Sequence, residues 1–132
     1  MKVTKIQHLG IAVNNLQEAA KLYTDLGLKV DNMEEVPSQK TRTAIINIGE
    51  SKIELLEAMT PDSVIAKFIE SRGEGLHHVG VEVDDLQAAI AEMKAKGYRM
   101  IDETPRGGVE KTSIAFIHPK SSKILLELVE KP

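Results

Sequence analysis

His8-Leu9-Gly10-Ile11-Ala12-Val13-Asn14-Asn15-Leu16-Gln17 is answered about 70 residues later by His78-Val79-Gly80-Val81-Glu82-Val83-Asp84-Asp85-Leu86-Gln87. At this offset His8/His78, Gly10/Gly80, Val13/Val83, Leu16/Leu86, Gln17/Gln87, Ala19/Ala89 and Gly27/Gly97 are identical. In each copy, residues of alternating character lead into an Asn-Asn or Asp-Asp pair. Alternation reads as a strand with one face on a core, and the polar pair reads as a helix cap. Leu9, Ile11 and Val13 form the apolar face of the first strand, so His8 points the other way. A histidine duplicated inside a duplicated strand suggests a site built by both halves.

Outward from this repeat the rest of the chain falls into order. Leu16, Ala19, Ala20, Tyr23 and Leu26 make the stripe of a first helix, closed by Gly27. Residues 31–42 are polar, contain Pro37, and read as a loop. Ala44 to Ile48 and Lys52 to Glu57 read as strands around the turn Gly49-Glu50-Ser51. Pro61-Asp62-Ser63 opens a connecting helix with Val64, Ile65, Phe68 and Ile69 on its inner face, ended by Arg72-Gly73-Glu74-Gly75. The second copy runs as a strand over Leu76 to Val83 and a helix over Leu86 to Lys96 that ends at Gly97. It continues as a short strand over Tyr98 to Ile101 and a loop over Asp102 to Glu110. Ser113 to His118 and Lys123 to Val129 then form a hairpin. The expected fold is α+β. Two tandem βαβββ modules (about 4–58 and 75–130, joined by a linker helix at 61–74) form one curved mixed sheet with helices on its outer face. All 132 residues are expected to make a single domain.

Composition narrows the chemistry. The chain is 42% hydrophobic and 28% charged, as in globular domains. Its net charge of −3 argues against nucleic acid as a partner. It has no cysteine, so disulfides and thiolate metal sites are excluded, and any metal must be held by His, Asp or Glu. No stretch is long and apolar enough for a signal core or a membrane span, and the cytoplasm is the expected compartment.

Four residues stand in equivalent places: His8 and His78 on the first strand of each module, Glu54 and Glu127 on the last. Each glutamate lies mid-strand between aliphatic residues, where an unpaired charge is costly to bury. A lone strand histidine is usually structural and a lone strand glutamate usually solvated. The matched set of two imidazoles and two carboxylates points instead to one octahedral divalent ion with two positions left for water or substrate. Co2+, Ni2+, Mn2+, Zn2+ and Fe2+ all suit it. His77 faces away from His78 and reads as core or as support for a ligand. His118 reads as structural, and Glu57 and Glu130 as solvated strand ends.

These residues resemble the vicinal oxygen chelate superfamily, the glyoxalase fold, and within it the methylmalonyl-CoA epimerases. The resemblance is carried by His8 to Val13, Val36-Pro37, Lys52 to Glu57, the linker Pro61 to Phe68, Gly73 to His78, Phe116 to Lys120 and Leu126 to Leu128. It implies metal ligands at His8, Glu54, His78 and Glu127, with Co2+ the favoured ion. It also implies a homodimer, and epimerisation of (2R)- and (2S)-methylmalonyl-CoA by proton transfer at carbon 2. Glu127 and Glu54 are then the candidate catalytic residues, with a water or a residue of the Asp102–Glu110 loop as alternatives to Glu54 for the second acid/base. Lys111, Lys120 and Lys123 could meet CoA phosphates, although basic loop residues are usually only solvated. The chain departs from the family at Thr43, where some members carry a glutamate. It departs again at Lys40, where glycine is common, and at the charged Arg42. The alternatives are a glyoxalase I-type lyase acting on a glutathione adduct, a dioxygenase using only His8, His78 and Glu127, and a metal-free binding protein of the same fold. Glyoxalase I commonly has an arginine where this chain has Ala12.

Overall fold

A computed structural model describes every residue from Met1 to Pro132. Eight strands and four α-helices follow in the order β1 (Val3–Ala12), α1 (Leu16–Asp25), β2 (Asn32–Val36), β3 (Thr41–Ile48), β4 (Ser51–Ala58), α2 (Val64–Arg72), β5 (Gly75–Val83), α3 (Leu86–Ala95), β6 (Arg106–Gly107), β7 (Ser113–Ile117), α4 (Pro119–Ser122) and β8 (Leu126–Glu130). The class is α+β and the βαβββ order occurs twice, as the repeat implies. The chain forms two compact units: Met1–His8 with His78–Pro132, and Leu9–His77. Strand β1 therefore contributes its N-terminal part, up to His8, to the unit that holds the second module.

In the Leu9–His77 unit the strand order is β2-β3-β4, then the end of β1. Both β2/β3 and β3/β4 are antiparallel. Val13, Leu16, Ala44, Ile46 and Leu55 form a buried cluster with α1, joined by Ile11, Ala19, Ala20 and Tyr23. Ala12, Leu56 and Ile65 form a second cluster with Phe68 and Ile69 of α2. The Ile11/Val13 face packs on α1 as read from the sequence, while Ala12 on the other face packs in the α2 cluster, a contact the sequence did not indicate. In the other unit the order is β1-β5-β8-β7-β6, with β5/β8 parallel and β7/β8 and β6/β7 antiparallel. Val83, Leu86, Ala89, Ile90, Ala115, Ile117 and Leu128 make its main core around α3.

The helices start where their caps stand. Asn15, not Asn14, caps α1 by accepting from the Glu18 amide at 2.9 Å. Asp85 does the same for α3 from Ala88 at 3.0 Å, and Ser63 for α2 from Ala66 at 3.1 Å. The caps of α1 and α3 are each doubled by a residue expected to be a solvated strand end. Glu57 accepts from the Leu16 amide at 2.9 Å, and Glu130 from the Leu86 amide at 2.8 Å. A carboxylate facing a helix N-terminus satisfies an orphan amide and meets the positive end of the helix dipole. Glu57 and Glu130 thus fasten the last strand of each module to that module's helix.

Several local expectations are corrected. Residues 31–42 are not a loop: they contain β2, a 3₁₀ turn at Pro37–Gln39 and the start of β3. Strand β2 pairs only with β3, and an edge strand of mostly polar residues carries no alternation to read. Tyr98 to Ile101 makes only one bridge, Met100 to Ile117, and the strand lies instead at Arg106–Gly107. The 119–122 turn is the short helix α4, so β8 begins at Leu126 rather than Lys123. His118 caps α4, its Nδ1 accepting from the Lys120 amide at 3.1 Å, which makes it structural as expected. Leu26 and Val64 are exposed rather than inward-facing, because Leu26 closes α1 and Val64 lies at the first turn of α2.

The departures at Lys40 and Arg42 acquire physical reasons. Lys40 adopts φ 53° and ψ 43°, the left-handed region where glycine carries no Cβ penalty. Its ammonium pairs with Asp62, which leads into α2. Hydrogen bonds from Lys40 and Thr60 hold the Asp62 carboxyl down to about 2. Arg42 bridges Glu57 at 2.6 Å and Glu35 at 3.3 Å, and so steadies the carboxylate that caps α1.

Two predictions follow from these contacts. Glu57→Ala and Glu130→Ala are each expected to cost about 1–2 kcal/mol in denaturant unfolding, the cost of a lost helix cap. A cost within error of zero for both would dismiss the double caps. In a carboxyl-carbon NMR titration, Asp62 should show its midpoint near 2 and move upward in Lys40→Met. Because that carboxyl is depressed on folding, any stability it lends is full above its ordinary value of 3.8 and fades as pH falls towards 2.

Candidate metal centre

The Met1–His8/His78–Pro132 unit brings three of the four expected ligands together. His8 ends the first-unit part of β1, His78 lies in β5 and Glu127 in β8. All three are buried, at 2%, 5% and 4% exposure. One ligand atom from each falls within 4.8 Å of the others. The His8 and His78 Nε2 atoms are 2.8 Å apart, with the rings edge to face at 4.9 Å between centroids. Glu127 Oε1 lies 3.1 Å from His8 Nε2, and its Oε2 lies 3.9 Å from His78 Nε2.

Register explains why they converge. Gly80 of β5 and Phe116 of β7 both stand opposite Glu127 of β8. Residues in register share a face, and His78 is two residues before Gly80, so it shares that face too. The Phe116 ring meets His78 edge to face at 5.6 Å. The Arg106 guanidinium lies 5.4 Å from the centre of the Phe116 ring and pairs with Asp102 at 3.2 Å. Asp102 in turn accepts from the Phe116 amide at 2.8 Å. The alternate residues Val81, Leu128, Ala115 and Ile117 face the α3 core. The parity that builds the core therefore also sends the polar side chains to the opposite face.

This cluster fits a divalent cation on its own chemistry. Gln7, 6% exposed, directs Oε1 at His8 Nδ1 in a short hydrogen bond. Since an amide oxygen only accepts, Nδ1 carries the proton and Nε2 of a neutral His8 presents a lone pair. That lone pair faces the Glu127 carboxylate. Two electron-rich groups buried at 3.1 Å are stable only with a positive charge to share. Ligands at right angles on bonds of about 2.1 Å stand about 3.0 Å apart, against about 3.4 Å for tetrahedral ligands. The 2.8 and 3.1 Å separations are close to the first value, and the 3.9 Å between His78 and Glu127 exceeds both. A nitrogen and oxygen donor set without thiolate agrees with a borderline divalent ion.

Glu54 belongs to the other unit, Leu9–His77. It lies mid-way along β4 opposite Ile45 and is 4% exposed. Its neighbours Ile53 and Leu55 pack in the α1 cluster, so Glu54 points away from that cluster. Thr43 stands opposite Leu56 on that same face, 1% exposed, with its hydroxyl oxygen buried and lacking a hydrogen-bond partner. His77, as expected, faces a different environment from His78. Its ring meets Phe68 edge to face at 4.9 Å, and burial lowers its pKa to about 4. Lys111, Lys120 and Lys123 are exposed, at a 3₁₀ turn and around α4. The support that Gln7 gives His8 was missed in the sequence. The only signal was a polar residue on the otherwise apolar face of β1.

Comparison with known proteins agrees with this geometry. The pattern of the Glyoxalase/Bleomycin resistance protein/Dioxygenase superfamily matches residues 7–116. The chain belongs to this superfamily. Among its relatives is the mitochondrial methylmalonyl-CoA epimerase of Dictyostelium discoideum, 35% identical over 98% of this chain and 80% of the relative. A hypothetical protein of Bacillus halodurans, BH1468, has a crystal structure that matches with a TM-score of 0.94 at 43% identity, covering 97% of this chain and 94% of that one. A variant of the Streptomyces coelicolor methylmalonyl-CoA epimerase, in complex with 2-nitronate-propionyl-CoA, matches with a TM-score of 0.94 at 33% identity, covering 98% and 96%. The chain is thus an epimerase-like member of the superfamily with a buried His/His/Glu cluster able to hold a divalent ion.

Titration with Co2+ should find about one ion per chain, removable by chelator, and binding should raise the melting temperature because only the folded state holds the ion. His78→Ala should weaken that binding at least tenfold. A chain that takes up no Co2+ would dismiss the metal centre.

Proposed function

We propose that this protein interconverts (2R)- and (2S)-methylmalonyl-CoA by moving the proton at carbon 2. The observation that supports this reading best is the buried His8/His78/Glu127 cluster, in a chain similar over nearly its whole length to epimerases of that substrate. His8, His78 and Glu127 would hold the ion, with Glu54 as fourth ligand from β4. Co2+ is the proposed metal, acyl-CoA the proposed partner and a homodimer the proposed assembly.

The C2–H bond lies between a thioester and a carboxylate, so a base of ordinary strength can remove its proton. A bound divalent ion supplies positive charge for the negative charge that builds on the thioester oxygen. The chain's own residues supply the rest. Glu127 takes the proton from one face and a second, protonated group returns one to the other, which inverts the centre. Thr43 cannot act as a base, and the candidates for the second role are Glu54, a water and a residue of the Asp102–Glu110 loop. Burial of both carboxylates keeps water from competing for the carbanion. Arg106, beside Phe116, offers a cation for the substrate's free carboxylate, and Lys111, Lys120 and Lys123 are available to the CoA phosphates.

The direct test is loss of deuterium from carbon 2 of labelled methylmalonyl-CoA in ordinary water. The wild-type protein should exchange well above background. Glu127→Gln should slow exchange roughly 100-fold or more, the range of general-base removal. No exchange by the wild type refutes the proposal. Turnover of a glutathione hemithioacetal in its place would move the protein to the lyase branch of the superfamily.

A further inference from the structure

The His8 ring is held on two sides by residues that have no part in the chemistry proposed above. On one side is Gln7, the adjacent residue of the same strand. Successive strand residues normally point to opposite faces, so a side chain at position 7 is not expected to reach its neighbour's ring. Here the amide is buried and turned so that Oε1 takes the Nδ1 proton of His8. A buried amide needs a partner, and His8 Nδ1 is one that Gln7 has found. On the other side is Gly80. A Cβ built there would overlap Cε1 of His8, stand 2.5 Å from Nδ1 and lie 2.8 Å from Nε2. Any side chain at position 80 would therefore occupy the space of the ring. Because Gly80 is in register with Glu127, this space is also where His8 meets the carboxylate.

We propose that Gln7 and Gly80 are positioning residues for His8: Gln7 selects the tautomer that presents Nε2, and Gly80 leaves the seat from which Nε2 reaches Glu127 and His78. The proposal rests on the reading of this cluster as a metal centre. The two halves of the repeat differ on this point. Position 77, which matches Gln7, is a histidine whose ring packs on Phe68. The matching position of the second copy therefore supplies no amide.

Two measurements on the full-length protein test this: Co2+ affinity by competition with a chelator, and the His8 tautomer by long-range 1H–15N NMR of the metal-free protein. Gln7→Met should lower Co2+ affinity about 10- to 100-fold, the usual effect of losing a partner behind a histidine ligand. It should also shift His8 from the Nδ1–H form towards a mixture. Gln7→Glu keeps the acceptor oxygen and should retain both the tautomer and most of the affinity. Gly80→Ala should weaken Co2+ binding at least tenfold. Should Gly80→Ala fail to fold, the Gln7 pair decides. Wild-type affinity and tautomer in Gln7→Met overturn the proposal, as does equal loss in Gln7→Met and Gln7→Glu, which would indicate packing alone. His8→Ala separates the two readings. If it binds Co2+ as the wild type does, the metal centre falls and this inference with it. If it loses Co2+ while Gln7→Met and Gly80→Ala do not, only this inference falls.

Discussion

The structure is organised around a buried concentration of electron-rich atoms. Two imidazoles and a carboxylate, each at most 5% exposed, lie close enough to repel unless a proton or a cation is shared among them. Such an arrangement is tolerated only if its surroundings are rigid. The α3 core supplies that rigidity from behind, because Val81, Leu128, Ala115 and Ile117 alternate with the polar residues along the same strands. Glycine and aromatic neighbours supply it from the front, with Gly80 admitting one ring and Phe116 meeting the other edge to face.

Period-two alternation and the internal repeat made much of this legible in the sequence. His8 and His78 stood out because they recur at one offset, and Glu127 because a charge interrupts an aliphatic strand. The helices were legible through their stripes and caps. What was hidden depended on partners distant in sequence. Strand β2 is a polar edge strand, recognisable only from β3 beside it. The division of β1 at His8 could not be read, because nothing within Val3–Ala12 says that its two ends join different units. Gln7 is a polar residue on an otherwise apolar face, and its contact with His8 requires a side-chain conformation that no pattern encodes.

The departures from the family pattern separate into two kinds. Lys40 and Arg42 are structural substitutions with visible compensation. One accepts a left-handed backbone and is tied to Asp62, and the other joins Glu35 to the carboxylate that caps α1. Thr43 has no such compensation in protein contacts: its hydroxyl is buried and unpaired. Position 43 of this chain is thus a buried hydroxyl, which cannot act as a general base.

The double caps have a mechanical meaning as well. Glu130 grips the first turn of α3 and lies three residues beyond Glu127 on the same strand. The helix is thus tethered to the strand that carries a ligand, about 10 Å of extended chain from Glu127. Glu130 therefore ties the first turn of α3 to β8, the strand from which Glu127 reaches the cluster.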